Sequence, residues 1–318
     1  MTTPEADVLI VGAGSAGLSA ALMLARSRRS VTVLDGGAPR NAVAAHMHGV
    51  LGRDGWSPLA LVATGREEVE RYGATILEAR AVSIAREGVH LVVTTSDGVR
   101  RPARRVLFAG GLRDELPEIP GLAEHWGSGV AHCPYCDGWE VRDARIGVLA
   151  SGEASLHQVQ LVRQLSDSVT YFVEGTEPTE RELAELAARG IRVERRRVAS
   201  VASTDGRLSG LVLDDGSVAA VDAVFVRPRA IPADELLHEL GAESTAGPDG
   251  HAWVTVDATG RTSVPGVWAA GNVIDPAATV SVSAGAGSRA GAAINADLVA
   301  DEVRGALRAA TREEANPA

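Results

Sequence analysis

The chain contains only two cysteines, and they lie two residues apart in the segment 132–138, HCPYCDG. A C-x-x-C pair that opens a helix can close a reversible disulfide, and the helix N-terminus stabilises the thiolate of the first sulfur, here Cys133. Asp137 follows Cys136 directly, where its carboxylate can carry a proton to or from a leaving thiol. The pattern therefore predicts a redox-active dithiol, with Asp137 and His132 as candidate acid–base groups.

Two other uses of a C-x-x-C pair fit this chain less well. A four-ligand zinc site needs a second cysteine pair or a suitably spaced histidine pair, and His125 and His132 lack that spacing. A purely structural disulfide closing so small a loop would restrain the unfolded chain little. His132 can also be a packed residue that precedes the helix, His48 is a weaker candidate base, and we expect His46 to face solvent.

The composition limits the class of protein. A length of 318 residues allows two domains, and a hydrophobic content of 45% is typical of a soluble globular protein. The net charge of -10 argues against a nucleic-acid partner. No apolar run approaches the roughly 20 residues of a membrane span, and no secretory signal opens the chain. We therefore expect a cytoplasmic protein, a compartment in which a C-x-x-C pair is more often catalytic than structural.

A dinucleotide-binding pattern opens the chain. A buried parallel strand is predicted for residues 7–11, and GAGSAG at 12–17 precedes a helix, the context that gives G-x-G-x-x-G its meaning. Its glycines allow a tight turn, close approach of a pyrophosphate and close helix–strand packing. The next strand is predicted for residues 31–34 and ends at Asp35, whose carboxylate can bind ribose hydroxyls. The candidate cofactor-binding residues here are Gly12, Ala13, Gly14, Ser15, Ala16, Gly17, Asp35, Gly36, Arg40 and Asn41.

A second, altered copy of this pattern follows the cysteines. A strand at 145–149 leads into ASGEAS at 150–155, a helix, and a strand that ends at Glu174. Ala150 and Ser155 replace the first and third glycines, and a Cβ at the tight turn resists positive φ. Glu174 would repel the 2′-phosphate of NADPH. These residues disfavour NADPH, while NADH and no nicotinamide at all both stay open.

The repeated strand–turn–helix order predicts an α/β protein with two Rossmann-like domains. A boundary is expected near 117–121, which holds two prolines and a glycine. Two further short apolar strands end in small or polar residues that can lie close to a cofactor, at Ala109-Gly110 and at Gly271-Asn272. A helix rich in Ala and Gly is predicted from 281 to 300.

With these motifs together, the chain resembles the low-molecular-weight thioredoxin reductase family of flavoproteins, from about Asp7 to Asp301. The resemblance implies FAD as the cofactor and a homodimer. It implies a three-layer ββα FAD domain that is discontinuous, at 1–115 and 248–318. The segment 116–247 would carry the C-x-x-C pair and a degenerate nicotinamide-type domain.

The same resemblance assigns roles to residues. It implies that Cys133 exchanges with the external substrate and that Cys136 is the sulfur nearest the flavin. Ala109-Gly110 matches the strand beside the flavin. Gly271-Asn272 matches a Gly-Asp pair that contacts the ribityl chain, and the family's Arg-Gln before the last helix appears as Thr279-Val280.

This sequence differs from the family's motifs in the parts that take electrons from NADPH, whereas it keeps the FAD and dithiol motifs. This combination resembles the dithiol oxidases of sulfur-containing natural products of the gliotoxin and holomycin type. It implies oxidation of a small-molecule dithiol to a disulfide, with O2 as electron acceptor and H2O2 as product, in antibiotic biosynthesis. Two alternatives stay open: a thioredoxin-reductase-like enzyme fed by NADH or NADPH, and a flavin-bound redox sensor.

Overall fold

The structure, a computed structural model, describes residues 5–152, 154–175, 177–247 and 250–315. The α-helices in these ranges are α1 Ser15–Arg26, α2 Pro58–Arg71, α3 Pro134–Asp137, α4 Ala154–Val162, α5 Glu180–Ala188, α6 Glu235–Glu239 and α7 Val280–Ala315. The β-strands are β1 Ala6–Val11, β2 Val31–Asp35, β3 Thr75–Glu78, β4 Ala81–Glu87, β5 His90–Thr95, β6 Arg100–Phe108, β7 Leu112–Glu115, β8 Val130–Ala131, β9 Ile146–Leu149, β10 Val169–Phe172, β11 Arg192–Glu194, β12 Val198–Thr204, β13 Arg207–Leu213, β14 Val218–Ala219, β15 Ala223–Val226, β16 Arg229–Pro232, β17 Ser244–Ala246, β18 Ala252–Val254 and β19 Val267–Ala269. Short 3-10 helices occur at Arg40–Val43, Ala123–His125, Trp139–Val141 and Gly271–Val273.

The chain divides into two compact units, which confirms the predicted α/β class. The first unit runs to Arg40 and continues over Leu59–Arg113 and from Ile231 onward, and the second comprises Asn41–Pro58 and Asp114–Ala230.

Compared with the sequence-predicted boundaries, residues 41–58 belong to the second unit and residues 231–247 to the first. Packing accounts for both differences. The backbone of Val43 lies against Gly127, where an added Cβ would stand 2.7 Å from the Val43 oxygen. Leu237 and Ala242 are buried in the same apolar cluster as Leu9.

The first unit is built on a mixed sheet with the strand order β3-β2-β1-β6-β5-β4, and β19 also pairs with β6. β1, β2, β3, β6 and β19 pair in parallel, whereas β4 and β5 are antiparallel additions. β1, β2 and β19 are short, largely buried apolar runs, as expected where helices cover both faces of a parallel sheet. Their carboxyl ends share one edge, so the glycine turn after β1 and Asp35 at the end of β2 lie at that edge.

The last helix packs closely on the first. An added Cβ at Gly287 would stand 1.9 Å from the Ala16 oxygen, so the small residues of α7 admit the backbone of α1. The helix begins at Val280 and continues to Ala315, beyond the predicted end at 300. Ion pairs of Arg105 with Asp297 and Asp301 hold the additional turns against β6.

The second unit contains a five-stranded parallel sheet with the order β11-β10-β9-β15-β8 and a three-stranded antiparallel sheet, β12-β13-β14. The four residues of β9 are fully buried, and Val148 and Leu149 contribute to two separate apolar clusters on its two faces. Among the helices of the described ranges, none combines the length and apolarity needed to cross a membrane.

Candidate active site

The dithiol segment forms a closed disulfide on a short helical turn of the second unit. Cys133 and Cys136 are bonded, with their Cα atoms 5.2 Å apart. Cys133 is the N-cap of α3, and its Sγ accepts the backbone N–H of Cys136 at 3.2 Å. Pro134 at the first helical position fits the fixed φ of proline. Because α3 has only four residues, this single N–H donor, more than a long helix dipole, is the feature that can stabilise a Cys133 thiolate.

Packing and one hydrogen bond fix the backbone of the dithiol turn. An added Cβ at Gly138 would stand 2.3 Å from Leu165 Cδ1 and 2.3 Å from the Pro134 oxygen, so only glycine fits. Gln158 of α4 donates its side-chain N–H to the His132 oxygen at 2.7 Å. Both contacts tie the dithiol turn to the nicotinamide-type part of the same unit, so the turn has a fixed backbone.

Asp137 has the electrostatic setting of a proton carrier. Its pKa is raised above the ordinary value of an aspartic acid, first by burial and then by the negative charge of Glu140, while His48 opposes the shift. The His48 ring lies between two carboxylates, since its Nε2 is 3.4 Å from Glu140 Oε1 and its Nδ1 is 3.5 Å from Asp54 Oδ1. A carboxyl group with a raised pKa keeps its proton closer to neutral pH and can give it to a thiolate.

The glycine turn of the first unit has the geometry of a phosphate-binding turn. Gly12 has a φ of 107°, and a Cβ there would stand 2.3 Å from the Ala109 oxygen. A Cβ on Gly17 would stand 1.9 Å from the Gly12 oxygen. Gly14 differs, because no atom lies within 4 Å of its added Cβ, although it is the N-cap of α1. Space is therefore kept open where the first N–H groups of a helix can meet a pyrophosphate.

Asp35 and Gly36 line a cavity of about 370 Å³ beside this turn, together with Gly37, Arg66, Glu78, Ala79, Arg80 and Ser96. Asp35 Oδ1 accepts the N–H of Gly37 at 2.8 Å, and its Oδ2 pairs with Arg66. A carboxylate at the end of the second strand is placed to bind ribose hydroxyls. The open space at Gly14 and this cavity fit the pyrophosphate and nucleoside of a dinucleotide such as FAD.

The other predicted cofactor residues occupy varied positions, and their roles stay predictions. Arg40 lies in the first unit and donates to the Pro276 oxygen at 3.2 Å, whereas Asn41 opens the segment that belongs to the second unit. Ala109 is buried at the end of β6, beside Gly110. Thr279 accepts the N–H of Val282 at 3.4 Å at the start of α7.

Gly271 and Asn272 follow β19. Gly271 has a φ of 79°, and an added Cβ would stand 2.9 Å from the Cβ of Ala16, which explains glycine at this position. Asn272 donates its amide N–H groups to the oxygens of Asp275 and Ala278, each at 2.9 Å. A carboxylate here would face two carbonyl oxygens without a donor, so an asparagine suits this turn better than the family's aspartate.

The altered glycine turn of the second unit is closed by its own side chain. Ser155 Oγ accepts the N–H of Ser151 at 3.1 Å and bonds to the Gly152 oxygen. The positive φ of 109° lies at Gly152 and not at Ala150, as the Cβ argument predicts. Glu153 of this motif lies outside the described residues. Glu174 accepts the N–H of Val198 at 2.9 Å, so this acid is engaged with β12.

Two polar residues with a place in these sites were not singled out from the sequence. Glu140 lies three residues after Asp137, and that i, i+3 spacing in a helical turn was a usable signal. Arg66, which pairs with Asp35, lies on α2, and no local pattern indicates that contact.

Comparison with known proteins agrees with this geometry. A family model described as pyridine nucleotide-disulphide oxidoreductase matches residues 6–294. Thioredoxin reductase tcpT of Claviceps purpurea is 35% identical over 283 residues, covering 85% of this chain and 87% of that protein. Thioredoxin reductase sirT of Leptosphaeria maculans is 32% identical over 307 residues, covering 91% and 93%. The crystal structure of HlmI matches with a TM-score of 0.93 and 47% identity, covering 98% of both chains.

The matched region contains both glycine turns, the C-x-x-C pair and the first part of α7. The chain therefore belongs to the pyridine nucleotide-disulphide oxidoreductase family, and it is a thioredoxin-reductase-like flavoprotein oxidoreductase that binds FAD.

Proposed function

We propose that this chain is an FAD-dependent dithiol oxidase that forms an intramolecular disulfide in a small-molecule dithiol, with O2 as the electron acceptor. The observation that carries the proposal is the contrast within the second unit. A disulfide with an adjacent proton carrier of raised pKa is kept, while the nicotinamide-type turn uses one of its own N–H groups internally.

The first half-reaction starts at Cys133. A substrate thiolate attacks Cys133 Sγ, the bond between the two enzyme sulfurs breaks, and its electron pair goes to Cys136 Sγ. The raised pKa of Asp137 suits it to protonate that departing thiolate. His48 and Glu140, which contact each other and act electrostatically on Asp137, would return the proton from solvent.

The second half-reaction releases product. The remaining substrate thiolate attacks the substrate sulfur of the mixed disulfide, and the bond to Cys133 breaks. A leaving thiolate departs faster when it is stabilised, and the N–H of Cys136 provides that stabilisation at 3.2 Å. Bound FAD would supply the remaining chemistry, namely acceptance of the electron pair of the reduced cysteines and its delivery to O2 as H2O2. The balance is one dithiol and one O2 consumed per disulfide and H2O2 formed.

The surface around the disulfide supports a small, partly apolar substrate. Tyr135, between the cysteines, is 78% exposed, and Trp139 is 68% exposed. Exposed aromatic rings beside a reactive disulfide offer apolar contacts to a flat or cyclic dithiol. A cytoplasmic location and a homodimer are further parts of the proposal.

The test is made without air. The oxidised holoprotein is mixed in turn with NADPH, NADH and a small dithiol, and the flavin absorbance is followed. We expect only the dithiol to bleach the flavin, and air to restore the band with one H2O2 per disulfide. Cys133→Ser should abolish bleaching by dithiol, and full dithiol oxidation by this variant in air would refute the scheme.

The names of the two fungal relatives favour a second candidate, an NADH- or NADPH-dependent reductase of a protein disulfide. Bleaching of the flavin by either nicotinamide within one turnover time would support that candidate. Stable reduced flavin in air without product would instead indicate a redox sensor.

A further inference from the structure

Three side chains in the first unit, outside the sites described above, meet around one carboxylate. Asp234 precedes α6, His238 lies on α6, and His251 precedes β18. Asp234 Oδ2 is 3.1 Å from His238 Nε2 and 3.2 Å from His251 Nε2. One donor atom from each of the three residues lies within 4.8 Å of the other two. Three residues within a span of 17 positions, from Asp234 to His251, thus place one carboxylate oxygen and two ring nitrogens close together.

The carboxylate of this cluster is buried, whereas the rings are accessible. Asp234 is 2% exposed, and the side chains of His238 and His251 are 35% and 32% exposed. Burying a carboxylate is costly without a compensating charge, and a cation bound between the three groups would provide that charge.

The distances also match a single bound cation. Zinc holds nitrogen and oxygen ligands at about 2.0–2.2 Å, so two tetrahedral ligands of one ion lie about 3.3 Å apart. The 3.1 and 3.2 Å separations of Asp234 Oδ2 from the two ring nitrogens are close to that value, and all three donor atoms lie within 4.8 Å of one another, so the two rings would draw together around a bound ion. The ring of His251 is held by an edge contact with Trp253, with centroids 5.5 Å apart. A fixed ring orientation favours metal binding, because less conformational freedom is lost.

We propose that Asp234, His238 and His251 bind one divalent transition-metal cation of the zinc type, with solvent completing the coordination. Two imidazoles and one carboxylate form a donor set suited to Zn²⁺, Cu²⁺ or Ni²⁺ rather than to Mg²⁺ or Ca²⁺. The cation would link α6 to the β17–β18 hairpin.

Equilibrium dialysis of the oxidised holoprotein against ZnCl2, with bound metal measured by mass spectrometry, tests this site. The disulfide keeps Cys133 and Cys136 from acting as zinc ligands. We expect one Zn²⁺ per chain, and zinc binding weaker by roughly 10- to 100-fold or more in His238→Ala and in His251→Ala, since loss of an outer-shell partner alone costs that much. His90→Ala is the matched control, because His90 faces one carboxylate, that of Glu5, at 2.8 Å, and should leave zinc binding unchanged.

Folding and metal binding are separated by a second measurement. His238 is exposed on a short helix, so His238→Gln should keep the wild-type far-ultraviolet circular dichroism and FAD content while it loses zinc affinity. An MgCl2 titration should not displace the zinc. Failure of the wild-type protein to bind zinc at micromolar concentration, or equal zinc binding by His238→Gln, would overturn the proposal.

Discussion

Replacement of Gly14 by alanine separates cofactor binding from folding. Gly14 has φ -79° and ψ -173°, which alanine adopts without strain, and no atom lies within 4 Å of the added Cβ. The unfolding free energy of the apoprotein should therefore fall by about 1 kcal/mol or less, the cost of alanine at an N-cap. In the holoprotein we expect the added methyl group to occupy the space through which the pyrophosphate approaches the backbone.

The size of the effect follows from the crowding of that methyl group. Overpacking by one methyl group costs about 1–3 kcal/mol, which corresponds to an FAD dissociation constant about 5- to 150-fold weaker. Gly17→Ala would not give this separation, since its Cβ would stand 1.9 Å from the Gly12 oxygen and disturb the fold. Gly305→Ala is the matched control for Gly14→Ala. An added Cβ at Gly305 also has no neighbour within 4 Å, but Gly305 lies in the later part of α7 and outside the glycine turn.

The assay is a titration of each apoprotein with FAD, followed by flavin fluorescence, with urea unfolding as the folding control. We expect weaker FAD binding only in Gly14→Ala, and an unchanged dissociation constant in Gly305→Ala. An FAD affinity of Gly14→Ala within twofold of wild type would refute the assignment of the open space at Gly14 to the pyrophosphate.

Other variants test the acid–base groups and the packing of α7. Asp137→Asn should slow dithiol oxidation by about 10²-fold or more, as for the loss of a general acid, and wild-type steady-state rates in this variant would remove Asp137 from the mechanism. Because Glu140 raises the pKa of Asp137 and His48 lowers it, Glu140→Gln should move the Asp137-dependent limb of the pH–rate profile to lower pH and His48→Ala to higher pH. Shifts in the same direction would contradict that electrostatic assignment. Arg105 first and then Arg304 lower the pKa of Asp301 to about 2 from 3.8, so the Arg105–Asp301 pair stabilises the fold above the unfolded pKa and loses that contribution as pH falls towards 2. Arg105→Ala should therefore lower the unfolding free energy by roughly 1 kcal/mol at pH 6. This difference from wild type should be smaller at pH 3. Urea denaturation of both proteins at the two pH values measures it.

Local patterns were enough to predict both strand–turn–helix–strand units. The glycines at 12 and 17 have steric reasons that do not depend on distant residues, and Asp35 ends β2 at the expected edge. The dithiol turn could be predicted in the same way, because both cysteines and Asp137 lie within five positions. Such features follow from residues that are neighbours in sequence.

Features that depend on distant chain segments were not predictable in this way. His48 approaches Glu140 across 92 positions, and no periodicity relates the two. Arg66 reaches Asp35 from a different helix. Asp234 precedes α6 and His251 lies in the turn of the β17–β18 hairpin, so their contact becomes visible only when the hairpin is folded. Each case required tertiary packing to create the functional arrangement.

The two glycine turns show how a turn can stay folded while its phosphate-binding donors change. Gly12 donates its N–H to the Leu34 oxygen at 2.8 Å, and Ala150 donates to the Phe172 oxygen at 2.9 Å, so the two residues are structural equivalents. The positive φ has moved from the first position to Gly152, which accommodates the Cβ of Ala150.

Ser155 at the third glycine position then accepts the N–H of Ser151, which closes the turn with a side chain. A phosphate-binding turn instead leaves such N–H groups for its ligand. The same serine therefore stabilises the turn and withdraws a donor, so weak nicotinamide binding is compatible with a well-packed parallel sheet. An altered nicotinamide-type motif is therefore compatible with a well-packed domain. The second unit still holds the dithiol turn through Gln158 and Gly138.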